Sequence, residues 1–121
     1  MLVTGGRGFL GSHFALRLAS MAPTGGEVVC VDDGTRDCYA ALGVTPSPNL
    51  RFIRGDVRRP QDWLPEIGPC SAVVHFAALA GVSTYYRIPH TVMEVNGLGT
   101  ARLIEAIQEH PPALFVNVST S

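Results

Sequence analysis

The chain has 121 residues, enough for one domain with a modest hydrophobic core. Its hydrophobic fraction of 46% and charged fraction of 16% are those of a globular protein, and a net charge of −1 without a basic cluster argues against nucleic acid or a membrane surface as a ligand. No apolar run is long enough to span a membrane, and three cysteines without metal-ligand spacing predict reduced thiols, no metal site and a cytoplasmic location.

The N-terminal stretch predicts a strand, a glycine turn and a helix. Apolar residues 1–3 lead directly into a cluster of glycines, and an apolar pattern with helical spacing follows over residues 9–20. Such a turn is a typical site for the pyrophosphate of a dinucleotide, because the backbone can approach the phosphates and the helix N-terminus attracts them. Gly5 would form the sharp turn, Gly8 would allow the close approach, and Gly11 would let the helix pack on the strand. An ordinary glycine turn without a ligand is the alternative interpretation.

A second strand is predicted over Glu27–Asp32, where a continuous apolar run indicates burial on both faces. Asp32 stands 21 positions after Gly11, at the carboxyl end of this strand. A carboxylate there can accept hydrogen bonds from both hydroxyls of an adenosine ribose and would repel a 2′-phosphate, which favours NAD over NADP. Arg36 could in principle serve a 2′-phosphate, and Asp32 could merely begin a turn.

The middle of the chain predicts one strand between less regular segments. Residues 35–49 are polar with two prolines and predict an irregular surface connection, and residues 50–54 predict a third strand. Asp56 follows this strand and would either accept a hydrogen bond from an adenine amino group or cap a turn. Residues 58–67 predict a short helix or an irregular segment.

The last part of the chain predicts two strands and a long helix. Residues 71–76 form the fourth predicted strand, and the small residues after it would let a ligand lie against the backbone. We interpret His75, at the end of this strand, as a structural residue rather than a catalytic one. Residues 89–110 predict an amphipathic helix and residues 113–118 a fifth strand. The predicted apolar stripe of the helix contains Val92, Met93, Val95, Leu98, Ala101, Leu103, Ile104 and Ile107.

Strands and helices alternate along the whole sequence. This order indicates a doubly wound parallel α/β sheet, the Rossmann fold, truncated after about five strands. Six short motifs stand out along these elements, five of them at or just after the ends of predicted strands and one inside the long helix. They are Thr-Gly-Gly-Arg-Gly-Phe-Leu-Gly at 4–11, Asp-Asp at 32–33, Gly-Asp-Val at 55–57, His-Phe-Ala-Ala at 75–78, Ser-Thr-Ser at 119–121 and, in the helix, Val-Asn-Gly-Leu-Gly-Thr at 95–100.

Together these motifs resemble the extended short-chain dehydrogenase/reductase family of NAD-dependent nucleotide-sugar epimerases, dehydratases and decarboxylases. The resemblance covers the whole chain and implies NAD as cofactor and a nucleotide sugar as substrate. It assigns the catalytic hydroxyl to Thr120, or to Ser121 if the continuation carries one more residue. The cofactor-binding residues that it implies are Gly5, Gly8, Phe9, Leu10, Gly11, Asp32, Asp56, Val57, Ala77, Ala78 and Asn96.

The resemblance also implies a catalytic tyrosine within a Tyr-x-x-x-Lys motif. Such a tyrosine removes a proton from the sugar 4-hydroxyl while hydride passes from C4 to NAD, and the lysine lowers the tyrosine pKa so that the phenol can act as a base. The chain contains no lysine, so none of its tyrosines can begin this motif. We therefore expect residues 1–121 to be an incomplete NAD-binding domain from the N-terminal part of a longer enzyme, inactive without the rest.

The resemblance narrows the reaction only in part. Ser121 occupies a position where dehydratases of this family usually have aspartate, which favours an epimerase or a UDP-glucuronate decarboxylase over a dehydratase. Residues 81–87 lie where family members contact sugar or phosphates, with a plain surface loop as the alternative. A homodimer is suggested by the long helices beside the fifth strand. A non-catalytic NAD-binding module is the alternative to an enzyme.

Overall fold

The computed structural model describes residues 1–43 and 47–119 and shows one parallel sheet. Its five strands lie in the order β3-β2-β1-β4-β5, and every neighbouring pair is parallel. The strands are β1 (Leu2–Thr4), β2 (Val28–Asp32), β3 (Leu50–Arg54), β4 (Ala72–His75) and β5 (Leu114–Asn117). The doubly wound α/β fold predicted from the sequence is confirmed.

Helical segments connect the strands. The α-helices are α1 (Phe9–Met21), α2 (Cys38–Leu42), α3 (Leu64–Ile67), α4 (Val82–Arg87), α5 (Pro89–Met93) and α6 (Thr100–Ile107). A 3₁₀ turn, Pro60–Asp62, precedes α3, and a π-helical segment, Glu94–Gly99, joins α5 to α6 into one helical run.

The sheet is apolar on both faces, because successive side chains of a strand point to opposite sides and helical segments cover each side. In β2, Val29 and Val31 face a cluster that includes Trp63 and Leu103. Cys30, on the opposite face, packs with a second cluster from α1 and α2. Burial raises the pKa of the Cys30 thiol to about 12, so it is a neutral core side chain.

The prediction of irregular chain over residues 35–49 is wrong where α2 forms. Asp37 caps this short helix by accepting a hydrogen bond from the backbone N–H of Tyr39 at 3.1 Å. The Tyr39 ring is buried in the core, and Gly43 ends the helix with a φ of 62°. A single buried aromatic residue anchors this helix, and five residues are too few for a helical pattern to stand out in the sequence.

The segment after β4 is not the plain surface loop that was the alternative for residues 81–87, since residues 82–87 form α4. The predicted contact of this segment with sugar or phosphates stays a prediction. The long helix after it is confirmed, but it ends at Ile107 and contains the π-helical segment. Its predicted stripe divides into two faces. Val92 and Leu103 are buried, whereas Met93, Leu98 and Ile104 are exposed by 68%, 44% and 40%.

The order of the strands creates a switch point beside β1. The chain passes from β1 to β2 and β3 on one side and then crosses to β4 on the other side. In open α/β sheets, ligands bind in the crevice outside the carboxyl ends of the strands at such a point. Four of the predicted motifs follow β1, β2, β3 and β4 at this end of the sheet.

Candidate cofactor-binding site

The glycine turn after β1 lies against the loop after β4. Gly5 has a φ of 68°, a left-handed conformation that glycine adopts without strain. A Cβ atom at Gly5 would lie 2.6 Å from the backbone nitrogen of Ala77, and one at Gly11 would lie 2.1 Å from the carbonyl oxygen of Gly5. Side chains at these two positions would collide with backbone, so the turn and the start of α1 require glycine.

The N-terminus of α1 offers its first-turn N–H groups to the same crevice. Gly8 is the N-cap residue, no side chain caps the helix, and its first turn holds no acidic residue. A Cβ atom at Gly8 would meet only the Gly5 carbonyl, at 3.3 Å, so its outer side is open. Phe9 and Leu10 are 69% and 60% exposed. An uncapped helix N-terminus with an open approach suits an anion.

Gly6 has a packing role that was not predicted from the sequence. A Cβ atom there would lie 2.5 Å from the Cβ atom of Cys30, so the turn packs directly on β2. The adjacent glycines Gly5 and Gly6 were the sequence feature that could have indicated this packing. The cofactor motif assigns a role to Gly5 and none to Gly6.

Asp32 ends β2 with its carboxylate turned toward the glycine turn. Its Oδ2 accepts a hydrogen bond from the backbone N–H of Arg7 at 3.0 Å, and its Oδ1 accepts one from Gly34 at 2.9 Å. Each carboxylate oxygen keeps a lone pair for a further donor. Asp32 lines a cavity of about 360 Å³ together with Arg7, Gly34, Phe52, Ile53 and Arg54. The cavity suits a polar ligand at the carboxyl ends of β2 and β3.

Asp56 lies after β3 and is held by Arg58. The guanidinium group donates to both carboxylate oxygens, with its Nη2 at 2.6 Å from Oδ2. This hydrogen bond holds the pKa of the Asp56 carboxyl below its usual value, so the group is ionised and can only accept. Trp63 donates its indole Nε1–H to the Asp56 carbonyl at 2.9 Å and packs against Gly55.

Val57 is buried where the segment after β3 packs on the long helix. Gly99 allows this packing, because a Cβ atom there would lie 2.9 Å from a methyl carbon of Val57. Gly99, one of the two glycines of the 95–100 motif, is therefore explained by packing inside the chain.

Asn96 connects the long helix to the loop after β4. Its Oδ1 accepts from the backbone N–H of Leu79 at 2.8 Å, and its Nδ2 donates to the Leu79 carbonyl at 2.9 Å. This pair of hydrogen bonds orients the loop in which Ala77 and Ala78 lie. The predicted contact between Asn96 and a cofactor stays a prediction, and the observed contacts place it behind the loop as a support.

His75 is buried between β1 and the long helix. Its Nδ1 lies 2.5 Å from the Thr4 hydroxyl and its Nε2 lies 2.9 Å from the Thr100 hydroxyl. The Thr100 hydroxyl donates to the Asn96 carbonyl, so it accepts from His75, which assigns the proton to Nε2. Burial lowers the pKa of His75, so the ring is neutral at neutral pH. These partners support the structural interpretation of this residue.

Thr120 and Ser121, the two candidates for the catalytic hydroxyl, lie outside the described residues. Within residues 1–43 and 47–119, no three His, Cys, Asp or Glu side chains come together as a metal site would require. Over the same ranges, no helix has the length and apolar character needed to cross a membrane.

Comparison with known proteins identifies the family. The profile of the NAD dependent epimerase/dehydratase family matches residues 1–121. The chain belongs to this family. The match confirms the resemblance to the extended short-chain dehydrogenases/reductases that the six motifs carry.

Individual relatives include dehydratases and epimerases. A dTDP-glucose 4,6-dehydratase from Streptomyces niveus is 34% identical over 99% of this chain and 37% of its own length. The structure of a DesIV double mutant, a dTDP-glucose 4,6-dehydratase from Streptomyces venezuelae with NAD and DAU bound, superposes with a TM-score of 0.86 at 35% identity, covering 98% of this chain and 38% of that one. A UDP-glucose-4-epimerase from Stenotrophomonas maltophila with bound NAD and formylated UDP-arabinopyranose gives a TM-score of 0.80 at 32% identity, covering 99% and 36%. The chain thus spans about a third of the length of these relatives.

Proposed function

We propose that the chain binds NAD at the switch point, as the dinucleotide-binding part of an enzyme that modifies a nucleotide sugar through a 4-keto intermediate. The observation that carries the proposal is the pairing of an uncapped, glycine-lined helix N-terminus with the Asp32 carboxylate at the end of the neighbouring strand. The first feature suits a pyrophosphate and the second suits a ribose. Family membership and the NAD bound in two structural relatives support the same cofactor.

Different residues would bind different parts of NAD. The N–H groups of Phe9 and Leu10 would hold the pyrophosphate, because no side chain competes for them at the start of α1. Gly8, whose own N–H donates to the Gly5 carbonyl at 3.1 Å, would let the phosphates come close to the backbone. The free lone pairs of Asp32 would accept from the adenosine ribose hydroxyls. NAD supplies a hydride acceptor for oxidation of the sugar at C4.

The other predicted residues would line the sides of the proposed NAD site. The ionised Asp56 would accept from the adenine amino group, with Val57 giving an apolar surface beside it. Ala77 and Ala78 would leave room for the cofactor along the loop that Asn96 supports.

The substrate and the final reaction are proposed for the whole protein. The relatives include both dehydratases and epimerases, so they do not separate the two reactions. We keep epimerisation or decarboxylation as the proposed outcome because of Ser121, with Thr120 as the proposed hydroxyl that binds the sugar oxygen. A cytoplasmic location is proposed on the absence of metal-ligand or disulfide-framework spacing among the cysteines.

A homodimer through the long helix is also proposed. Met93, Leu98, Ala101 and Ile104 form an apolar face that points away from the core cluster of the sheet, and such a face suits a partner helix. These residues are the part of the predicted apolar stripe that the core of the sheet does not bury.

Replacement of Asp32 by asparagine tests the proposed cofactor site. NAD should bind at least about tenfold more weakly to the Asp32→Asn protein, because an amide has one acceptor oxygen where the carboxylate has two. The measurement is isothermal titration calorimetry of NAD with the longest chain that the gene encodes. The matched control is Asp33→Asn, whose carboxylate binds Thr35 within its own turn. Equal weakening by both variants would contradict the assignment of Asp32 to the ribose.

A non-catalytic NAD-binding module is the second candidate, favoured by the lack of any lysine in the chain. Sequencing the gene beyond the codon for Ser121 separates the two. A Tyr-x-x-x-Lys motif downstream supports an enzyme, and an open frame without one supports the module.

A further inference from the structure

Arg7 is the one arginine of the glycine turn, and its side chain is paired. Its backbone N–H donates to Asp32, which places the start of the side chain beside the proposed ribose position. The guanidinium group makes a salt bridge with Asp37 at 3.0 Å and lies 5.0 Å from the centre of the Phe52 ring. The ion pair is partly exposed, with 36% and 42% of the two side chains accessible.

Asp37 is held in place by α2. One of its carboxylate oxygens accepts from the Tyr39 N–H at 3.1 Å while the other binds Arg7. The Tyr39 ring is buried in the core, and the Cys38 N–H donates to the Arg7 carbonyl at 3.0 Å. The start of α2 is thus tied to the glycine turn at both the backbone and the side chain of Arg7.

These contacts bear on which dinucleotide the site accepts. A 2′-phosphate on the adenosine ribose would enter the cavity that Asp32 and Arg7 both line. The Asp32 carboxylate would repel it, whereas a free Arg7 guanidinium would bind it by charge-assisted hydrogen bonds. The salt bridge to Asp37 engages one guanidinium nitrogen, Nη1, and offsets part of its positive charge.

We propose that Asp37 is a specificity-determining residue, which disfavours NADP by keeping the Arg7 guanidinium in a salt bridge with which a 2′-phosphate would have to compete. This inference rests on the proposed NAD site and adds a second negative group to the action of Asp32. Arg54 lines the same cavity and makes no salt bridge within the described part of the chain. With the Arg7 guanidinium paired to Asp37, Arg54 is the cation of this lining that is left to attract a 2′-phosphate against the repulsion of Asp32. A free Arg7 would add a second cation.

The test compares NAD and NADP binding to Asp37→Asn by isothermal titration calorimetry at one ionic strength, in the longest chain that the gene encodes. Asparagine caps a helix about as well as aspartate, so α2 should keep its start while the salt bridge is lost. NADP should bind about tenfold more tightly than to wild type, with NAD affinity changed less than about twofold. The gain should disappear in the double variant Asp37→Asn/Arg7→Ala.

The matched control is Glu27→Gln, which removes a carboxylate that pairs with Arg51 at 3.0 Å before the start of β2. A tenfold gain that also occurs in this control, or that persists without Arg7, would overturn the inference as an effect of net charge. Unchanged NADP affinity in Asp37→Asn, with NAD still bound, would overturn the inference alone. Failure of wild type to bind NAD would overturn the proposed function and the inference with it. If Asp37→Asn unfolds, Asp37→Ser keeps a capping hydroxyl and answers the same question.

Discussion

The glycines of this chain differ in the atoms that an added Cβ would contact. The free energy of unfolding of an alanine variant at each position measures that difference. At Gly11 an added Cβ atom would lie 2.1 Å from the Gly5 carbonyl oxygen, in backbone that cannot move without displacing β1. At Gly97 an added Cβ atom meets nothing within 4 Å, and the backbone is helical. The two positions therefore respond to alanine in opposite directions.

Gly11→Ala should lower the free energy of unfolding by about 2–3 kcal/mol, because the inserted methyl group overpacks the junction of α1 and β1. Gly97→Ala should raise it by about 0.5–1 kcal/mol, because alanine loses less backbone entropy in a helix. Urea unfolding followed by circular dichroism measures both. A Gly11→Ala protein as stable as wild type would show that the turn can relax and that close packing does not explain this glycine.

At the scale of elements, His75 joins β1, β4 and the long helix through the hydroxyls of Thr4 and Thr100. The ring accepts from one threonine and donates to the other, which only the neutral form can do. Protonation would place a second N–H, on Nδ1, against the Thr4 hydroxyl that donates to that nitrogen in the neutral form. This network couples the packing of three elements to pH.

Stability should therefore fall as the pH drops below the unfolded-state pKa of histidine, 6.5. The sign follows from burial, which lowers the folded-state pKa of His75, so the unfolded chain binds the proton first and gains from it. The slope has an upper bound of about 1.4 kcal/mol per pH unit for one proton. Urea unfolding from pH 7.5 to 5 should show a shallower fall in His75→Gln than in wild type. His110→Gln replaces an exposed histidine and is the matched control, and parallel curves for wild type and His75→Gln would refute this role.

Elements differ in how far the sequence predicts them. The boundaries of β3 follow from a short segment that ends at Gly55, and the start of α1 follows from the apolar helical pattern after the glycine cluster. Both agree with the structure. Helix α2 depends on one buried ring and one cap, which a search for periodic patterns does not register. The contacts of Arg7 with α2 were missed for the same reason, since they require an element that was not predicted.

The residues of the candidate site also differ in how far the sequence predicts their roles. Asp32 and the glycines were predicted from spacing, because a strand followed by a turn places them in known positions along the chain. The hydrogen bonds of Asn96 to Leu79 could not be predicted, because they join the π-helical segment to a loop 17 residues away in sequence. Contacts of this kind depend on how helices lie on the sheet.

On the scale of the whole molecule, the sheet is covered unevenly. Its centre is buried on both faces, whereas β5 forms an edge in the described chain and exposes Leu114 and Val116, as does Val118 just after the strand. An apolar edge strand with unpaired backbone groups is a template for association with other chains. The 121-residue polypeptide should therefore self-associate through this edge when it is produced by itself.

Val116→Lys should reduce this association, because a charged side chain on an edge strand opposes pairing with a second strand. Size-exclusion chromatography with light scattering, over a range of protein concentrations, should show a lower mean mass than for wild type. Leu42→Lys adds the same charge at a side chain that is equally exposed, 38% in both cases, but lies on α2. An equal reduction by both variants would assign the association to net charge and not to the edge.

The position of Trp63 has a practical consequence for all of these measurements. It is the only tryptophan of the chain, and its indole is buried against Gly55 with its N–H bonded to the Asp56 carbonyl. All indole fluorescence therefore originates from one point at the proposed adenine end of the site. The natural sequence thus carries a single spectroscopic reporter there, whose emission records both the loss of the core and changes in the surroundings of Asp56, without an added label.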